Sequence, residues 1–212
     1  MIGVVPNPVK SARPMKSHPT LILASTSRYR RELLQRLKLD FFCKAPGVAE
    51  TPQPGESPAE LARRLARTKA QAVAAQSGEA WVIGSDQVAV LEAESGAATV
   101  GKPGTAERCR AQLLAASGQT LTFLTAVCVT RHGGAICEFT DTTHVQFREL
   151  DESTIARYVA AESPLDCAGG FKSEGLGISL CQSIHSEDPS ALIGLPLIRL
   201  SAVLREVGFL LP

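Results

Sequence analysis

No stretch of this chain reaches the roughly eighteen consecutive apolar residues of a membrane-spanning helix. No CxxC pair occurs among its six cysteines, Cys43, Cys109, Cys128, Cys137, Cys167 and Cys181. That spacing fits neither a zinc site nor a disulfide scaffold, and reduced thiols in a cytoplasmic protein are the simplest expectation. Bulk charge is lacking as well. Lys and Arg number 22 against 21 Asp and Glu, a formal net charge of +1, so no overall field argues for nucleic acid or an anionic membrane as partner. Affinity for phosphate has to come from a local cluster. There is no internal repeat, no linker within 20–211, and no Ser-His-Asp pattern around the four histidines.

What is present reads as alternating strands and helices. The 212 residues suffice for one sizeable core. Residues 1–19, with three prolines before His18 and no acid, read as a disordered N-terminal extension, and 20–212 as one mixed α/β domain. Thr20–Ala24 is a short buried strand that runs through Ser25-Thr26-Ser27 into a helix, Arg28 to Leu39. Serines at a helix start leave backbone N–H groups where an anion can sit. Arg30 falls on the face of Leu33, Leu34 and Leu37, with Arg31 and Tyr29 beside it. Arginines at the positive end of a helix are either solvated or meant for an anion.

Ser57-Pro58-Ala59-Glu60 is a capping box that opens a helix to about Gln76. Lys69 falls in the middle of its apolar face of Leu61, Ala62, Leu65, Ala66 and Val73. It either snorkels or reaches a pocket of negative charge. Trp81–Val90 (WVIGSDQVAV) reads as a buried strand carrying one carboxylate, Asp86, with Gly84-Ser85 breaking it just before the acid. Asp86 either caps a turn or is paired, since a bare buried carboxylate is costly. Residues 92–99 read as a polar hairpin tip. Gly96 to Lys102 imitates the start of a P-loop, but Pro103 stands where Ser or Thr is required. Further on come a helix from Thr105, strands 120–131 and 135–147, a helix from Asp151, a strand near 178–184 and a last helix opened by Pro196.

Arg30, Arg31, Lys69, Lys102 and Lys172 thus form a set of cations around three acids, Asp86, Glu50 and Glu174. Many cations around few carboxylates suit a polyphosphate with a divalent metal. Glu50 by itself, in the loop VAETPQPGE, reads as an ordinary surface acid.

The motifs LASTSRYRRELL (23–34), VAET (48–51), ARTKAQ (66–71), IGSDQV (83–88), GKP (101–103) and CAGGFKSEGLGI (167–178) resemble, in this order, the Maf family of nucleoside triphosphate pyrophosphatases. The resemblance spans Leu21 to about Gly208. The SDQ, FKSEG and GLPLI versions resemble the branch that acts on 7-methyl-GTP. It implies an elongated mixed sheet flanked by helices with a deep central cleft, and hydrolysis at the α-phosphorus with Mg²⁺ or Mn²⁺. It implies Asp86 as proton acceptor, Glu50 and Asp86 at the metal, and Ser25, Arg30, Arg31, Lys69 and Lys102 on the substrate, to which the cation set above adds Lys172. Tyr29, Gln87 and Glu174 match positions that set base preference, and a homodimer is one assembly it implies. Alternatives are a dTTP/UTP pyrophosphatase and a nucleotide-binding regulator of septum formation. The chain departs from the family pattern at Arg28 (usually proline), Ala49 (usually an acid) and Tyr29 (usually tryptophan in this branch).

Overall fold

A computed structural model describes residues 19–93, 96–134 and 136–212, so all but Pro19 of the expected extension lies outside the described residues. The order is β1 (Leu21–Leu23), α1 (Arg28–Gln35), β2 (Phe42–Cys43), α2 (Pro58–Ala74), β3 (Trp81–Ala93), β4 (Gly96–Val100), α3 (Ala106–Ala115), β5 (Thr120–Thr130), β6 (Ile136–Phe147), α4 (Glu152–Glu162), β7 (Cys181–His185) and α5 (Leu197–Glu206). Two short 3₁₀ turns, Ala168–Gly170 and Leu176–Leu180, lie between α4 and β7. Among the described residues no helix is long and apolar enough to cross a membrane.

The strands form one mixed sheet, ordered β2-β1-β3-β5-β6-β7, with β4 added to β3. β1 is parallel to β2 and β3; the other pairings are antiparallel. The strand that organises the molecule is β3. Along one edge it pairs with β5 continuously from Val82 to Leu91. Along the other edge β1 reaches only Trp81, Val82 and Ile83, and β4 begins only at Ala89. Between these two prongs, Gly84 to Val88 has a neighbouring strand on one side alone. The sheet forks there.

Side chains on β3 alternate between the faces, as strand geometry requires. Val82, Val88 and Val90 turn to α2, which covers one face with Leu61, Ala62, Leu65, Ala66, Ala70 and Val73. Ile83 turns to the opposite face, where α1 and α5 bring Leu33, Leu34, Leu200 and Leu204. Farther along that face Ala89, Phe123, Val145 and Phe147 pack with Cys109 and Leu113 of α3 and Ile155 and Tyr158 of α4. Each large aliphatic side chain buried this way contributes about 1.5–3 kcal/mol.

Several sequence expectations are corrected. Gly84-Ser85 does not break the strand, because β3 passes through both in register with Cys128 and Val127. Glycine stands at 84 because α2 crosses there. A Cβ on it would lie 2.2 Å from the Ala66 carbonyl oxygen and 2.6 Å from the Ala70 nitrogen. Asp86 therefore sits within a strand, not at a turn. α1 ends at Gln35, short of Leu39, and the chain turns through Lys38 at a left-handed φ of 56°. The hairpin expected at 92–99 is present, with the antiparallel pairing of β3 and β4 carried as far as Ala93 and Gly96. The strand expected near 178–184 begins only at Cys181, because Leu176–Leu180 coils as a 3₁₀ turn.

The capping box at α2 forms as expected. Ser57 Oγ accepts from the Glu60 N–H, and Glu60 Oε2 accepts from the Ser57 N–H at 2.9 Å. Ser57→Ala is expected to destabilise the protein by about 1 kcal/mol, read as a lower urea midpoint at unchanged slope.

Candidate active site

The fork opens into a cleft of about 690 Å³. One wall is the segment Ala24–Arg30, where β1 leaves the sheet and α1 begins; the other is Thr99–Lys102, where β4 leaves it. Asp86 and Gln87 lie at the base of the fork. A stretch 80 to 88 residues beyond Asp86, around Asp166–Glu174, and the segment Leu192–Gly194 also line it.

Asp86 is 8% exposed and paired. Its Oδ1 lies 2.6 Å from the Nζ of Lys69, itself 5% exposed, and the same Nζ lies 2.6 Å from Glu50 Oε1. The apolar face of α2 delivers Lys69 into a negative pocket, and the two carboxylates answer the desolvation of its ammonium. Glu50, unremarkable in sequence, belongs to this centre. Partial burial pushes its carboxyl pKa up, but the Lys69 hydrogen bond and the charges of Lys69, Lys102 and Arg30 prevail and lower it. Lys102 lines the cleft and has no ion-pair partner among the described residues.

Arg30 donates from Nε to the Gly194 carbonyl at 3.0 Å, and its guanidinium lines the cleft within reach of the charges of Asp86 and Glu50. Burial lowers its pKa while those two carboxylates raise it, and a guanidinium keeps its charge in any case. Ser85 Oγ donates to the same Gly194 carbonyl at 2.9 Å. Ser25 Oγ accepts from the Ser27 N–H at 3.1 Å, and Ser27 in turn caps α1.

The expected base-reading residues also line the cleft, with some of their capacity already used. The Gln87 amide nitrogen donates to Thr125 Oγ1 at 2.9 Å and to the carbonyls of Leu192 at 3.0 Å and Ala191 at 3.1 Å. Its Oε1 has no partner among the described residues and remains an acceptor. Tyr29 is bracketed by charge. Arg28 Nη2 donates to its hydroxyl at 2.6 Å, the Arg28 Cζ stands 4.6 Å from the ring centroid, and the hydroxyl reaches Asp166 Oδ1 at 3.3 Å. Burial pushes the Tyr29 hydroxyl up to about 12, against the pull of Arg28. Glu174 is exposed at the rim. Burial also holds the neighbouring Cys167 thiol up at about 11, which makes it a poor nucleophile.

Two of the expected residues lie elsewhere. Arg31 is exposed and outside the cleft lining. Lys172 also lies outside it; its Nζ is held at 2.5 Å by Glu162 Oε1 at the end of α4. The glycines beside Lys172 serve packing, since a Cβ at Gly170 would lie 2.6 Å from Cys109 Sγ and one at Gly177 2.4 Å from the Lys172 carbonyl oxygen. Sequence reasoning missed the loop 188–196. Asp188, 4% exposed, accepts from the Ser190 N–H at 2.9 Å, from the Ser190 hydroxyl at 2.5 Å and from the Ile198 N–H at 2.6 Å. That network sets the carbonyls of Ala191, Leu192 and Gly194 against Gln87, Ser85 and Arg30. The dipeptide Asp188-Pro189 followed by Ser190 was the available signal, a side chain primed to bond its own backbone two residues on.

A family model described as Maf-like protein matches residues 20–207. The chain belongs to the Maf family. Among similar Maf relatives, a protein of Xanthomonas campestris pv. campestris named 7-methyl-GTP pyrophosphatase is 55% identical over 194 residues, 92% of this chain and 99% of that one. One of the same name from Pseudomonas aeruginosa is 51% identical over 199 residues, 92% of this chain and all of that one. A solved HAM1 protein from Coxiella burnetii aligns at TM-score 0.51 and 18% identity, over 89% of this chain and 99% of that chain. That likeness is one of fold: a mixed sheet between helical layers, as expected for a Maf protein.

Proposed function

We propose that this chain hydrolyses 7-methyl-GTP at the α-phosphorus, releasing 7-methyl-GMP and pyrophosphate. The observation that carries the reading is a single cleft combining Asp86, Lys69, Arg30 and Lys102 with an aromatic ring and uncommitted acceptors. Arg30 and Lys102 bind the triphosphate, with Ser25 and the start of α1 beside them. Asp86 takes the proton of the attacking water as its oxygen bonds to the α-phosphorus and the α–β bridging bond breaks. Lys69 holds Asp86 in place and shares its charge with Glu50.

Glu50 and Asp86, each 2.6 Å from the Lys69 Nζ, are neighbouring carboxylates in the cleft, and Mg²⁺ or Mn²⁺ needs few protein ligands when phosphate oxygens and water complete the shell. Among the described residues no group of three or more His, Cys, Asp or Glu could hold a metal, so phosphate oxygens and water would have to supply most of the shell of such an ion. Glu50 and Asp86 would hold it, and it would neutralise phosphate charge and acidify a bound water.

The acceptor-only groups, Gln87 Oε1 and the Glu174 carboxylate, match the two donors of a guanine edge, N1–H and the 2-amino group. Thymine and uracil offer a single N–H there. A cationic N7-methylguanine gains further from the Glu174 charge and the Tyr29 ring. Names of the relatives support the same substrate.

Pyrophosphate release with Mg²⁺ or Mn²⁺ across dTTP, UTP, CTP, GTP and 7-methyl-GTP tests this directly. The highest kcat/KM is expected for 7-methyl-GTP. Preference for dTTP or UTP would keep the chemistry and overturn the base assignment; binding without release from any of them would favour a regulatory binder.

A further inference from the structure

The fork in the sheet leaves main-chain groups without partners beside Asp86. Along a regular strand the N–H and C=O of successive residues point to opposite edges. Trp81 and Ile83 bond towards β1, through the Trp81 N–H to the Thr20 carbonyl at 2.9 Å and the Ala24 N–H to the Ile83 carbonyl at 2.8 Å. The pairing of β3 with β5 continues without a register shift through Leu91, so Ser85 and Gln87 face the same edge as Ile83. On that edge β1 has ended at Leu23, with one last bond from the Ala24 N–H, and β4 has not begun. The rung that would continue β4, from Gln87 to Lys102, is absent, because the chain turns away at Gly101-Lys102-Pro103. Among the described residues neither Ser85 nor Gln87 has a main-chain partner there. Unpaired peptide groups in the middle of a sheet are rare, because an unmade hydrogen bond is costly away from bulk water. Gln87 lines the cleft together with Lys69, Lys102, Arg30 and the start of α1, and with the carboxylates Glu50 and Asp86.

We propose that the fork-facing N–H of Gln87 is a substrate-binding donor, directed at an anionic phosphate oxygen next to Asp86. The ligand class follows from the surroundings: cations on both prongs call for an anion, and a fixed N–H suits an oxyanion without needing to reorganise. Gln87 then acts through two separate parts. Its side-chain amide ties β3 to the loop at 191–192, and its peptide N–H meets the phosphate. The idea rests on the pyrophosphatase reading only in that the ligand is a polyphosphate; the identity of the base does not enter.

Residue-resolved amide exchange by NMR on the whole protein tests it, with inorganic triphosphate as the first probe and α,β-methylene 7-methyl-GTP as the second. In the free protein the Gln87 amide is expected to show protection at least about tenfold below that of Gly84, Asp86 and Val88. Saturation with inorganic triphosphate is expected to raise Gln87 protection about tenfold or more and to shift its amide proton downfield. A free-protein Gln87 amide as protected as its neighbours would overturn the proposal. So would one left unchanged at saturation with triphosphate while the Lys102 amide responds. A response to triphosphate with none further to the nucleotide would keep the donor and count against the base reading alone.

Discussion

Asp86→Asn is expected to lower turnover of 7-methyl-GTP by about 10²–10⁴-fold, the usual contribution of a positioned general base. Asparagine has the shape of aspartate but cannot accept a proton from the attacking water. The fold should survive the change, since Glu50 Oε1 remains 2.6 Å from Lys69 Nζ to balance its buried ammonium. Arg30 and Lys102 are untouched, so affinity for a non-hydrolysable analogue should stay close to that of the parent protein. Calorimetric titration beside a pyrophosphate-release assay separates the two quantities. Near-parental turnover would remove Asp86 from the base role; loss of binding together with turnover would make it a binding group instead.

Gly84→Ala carries the largest expected cost in stability, about 3 kcal/mol or more. The new methyl would meet backbone at 2.2 and 2.6 Å, not the flexible end of a side chain, so α2 as a whole would have to move off the sheet. That helix carries Lys69, and activity should fall along with the urea midpoint. Gly101→Ala, on the same cleft but with nothing within 4 Å of its Cβ, is the control and should leave the midpoint in place. Equal midpoints for the two variants would show that α2 does not press on β3 as described.

Much of this centre was legible in the sequence because its signals are local. A lysine at position 69 on an apolar helical face has few explanations, and a capping box fixes where that helix starts. An acid within an apolar strand has to be paired. The glycine at 84 was misread because glycine breaks a strand in one setting and admits a crossing helix in another. Only the partner, 14 to 18 residues earlier in the chain, decides between them. Lys172 entered the substrate set as one more cation near the acids, whereas Glu162, ten residues before it, holds its charge. The loop at 188–196 acts on the site through main-chain carbonyls, which carry no side-chain signature. Its influence on Arg30, across 164 residues of sequence, appears only once the chain is folded.

The Gly194 carbonyl also bears on the entropy of binding. Immobilising a long side chain at an interface costs about 0.5–1.5 kcal/mol. Arg30 is already anchored at Nε, so most of that loss falls on folding and little of it on the encounter with substrate. The side chain lines the cleft, and its remaining guanidinium hydrogens make no hydrogen bond among the described residues. The loop can hold that carbonyl so close because residue 194 is glycine, at a φ of 122° that side-chain-bearing residues avoid and with Arg30 Nε 3.3 Å from where a Cβ would stand. A segment with no charged side chain in the cleft thereby sets how rigidly the site waits for its ligand.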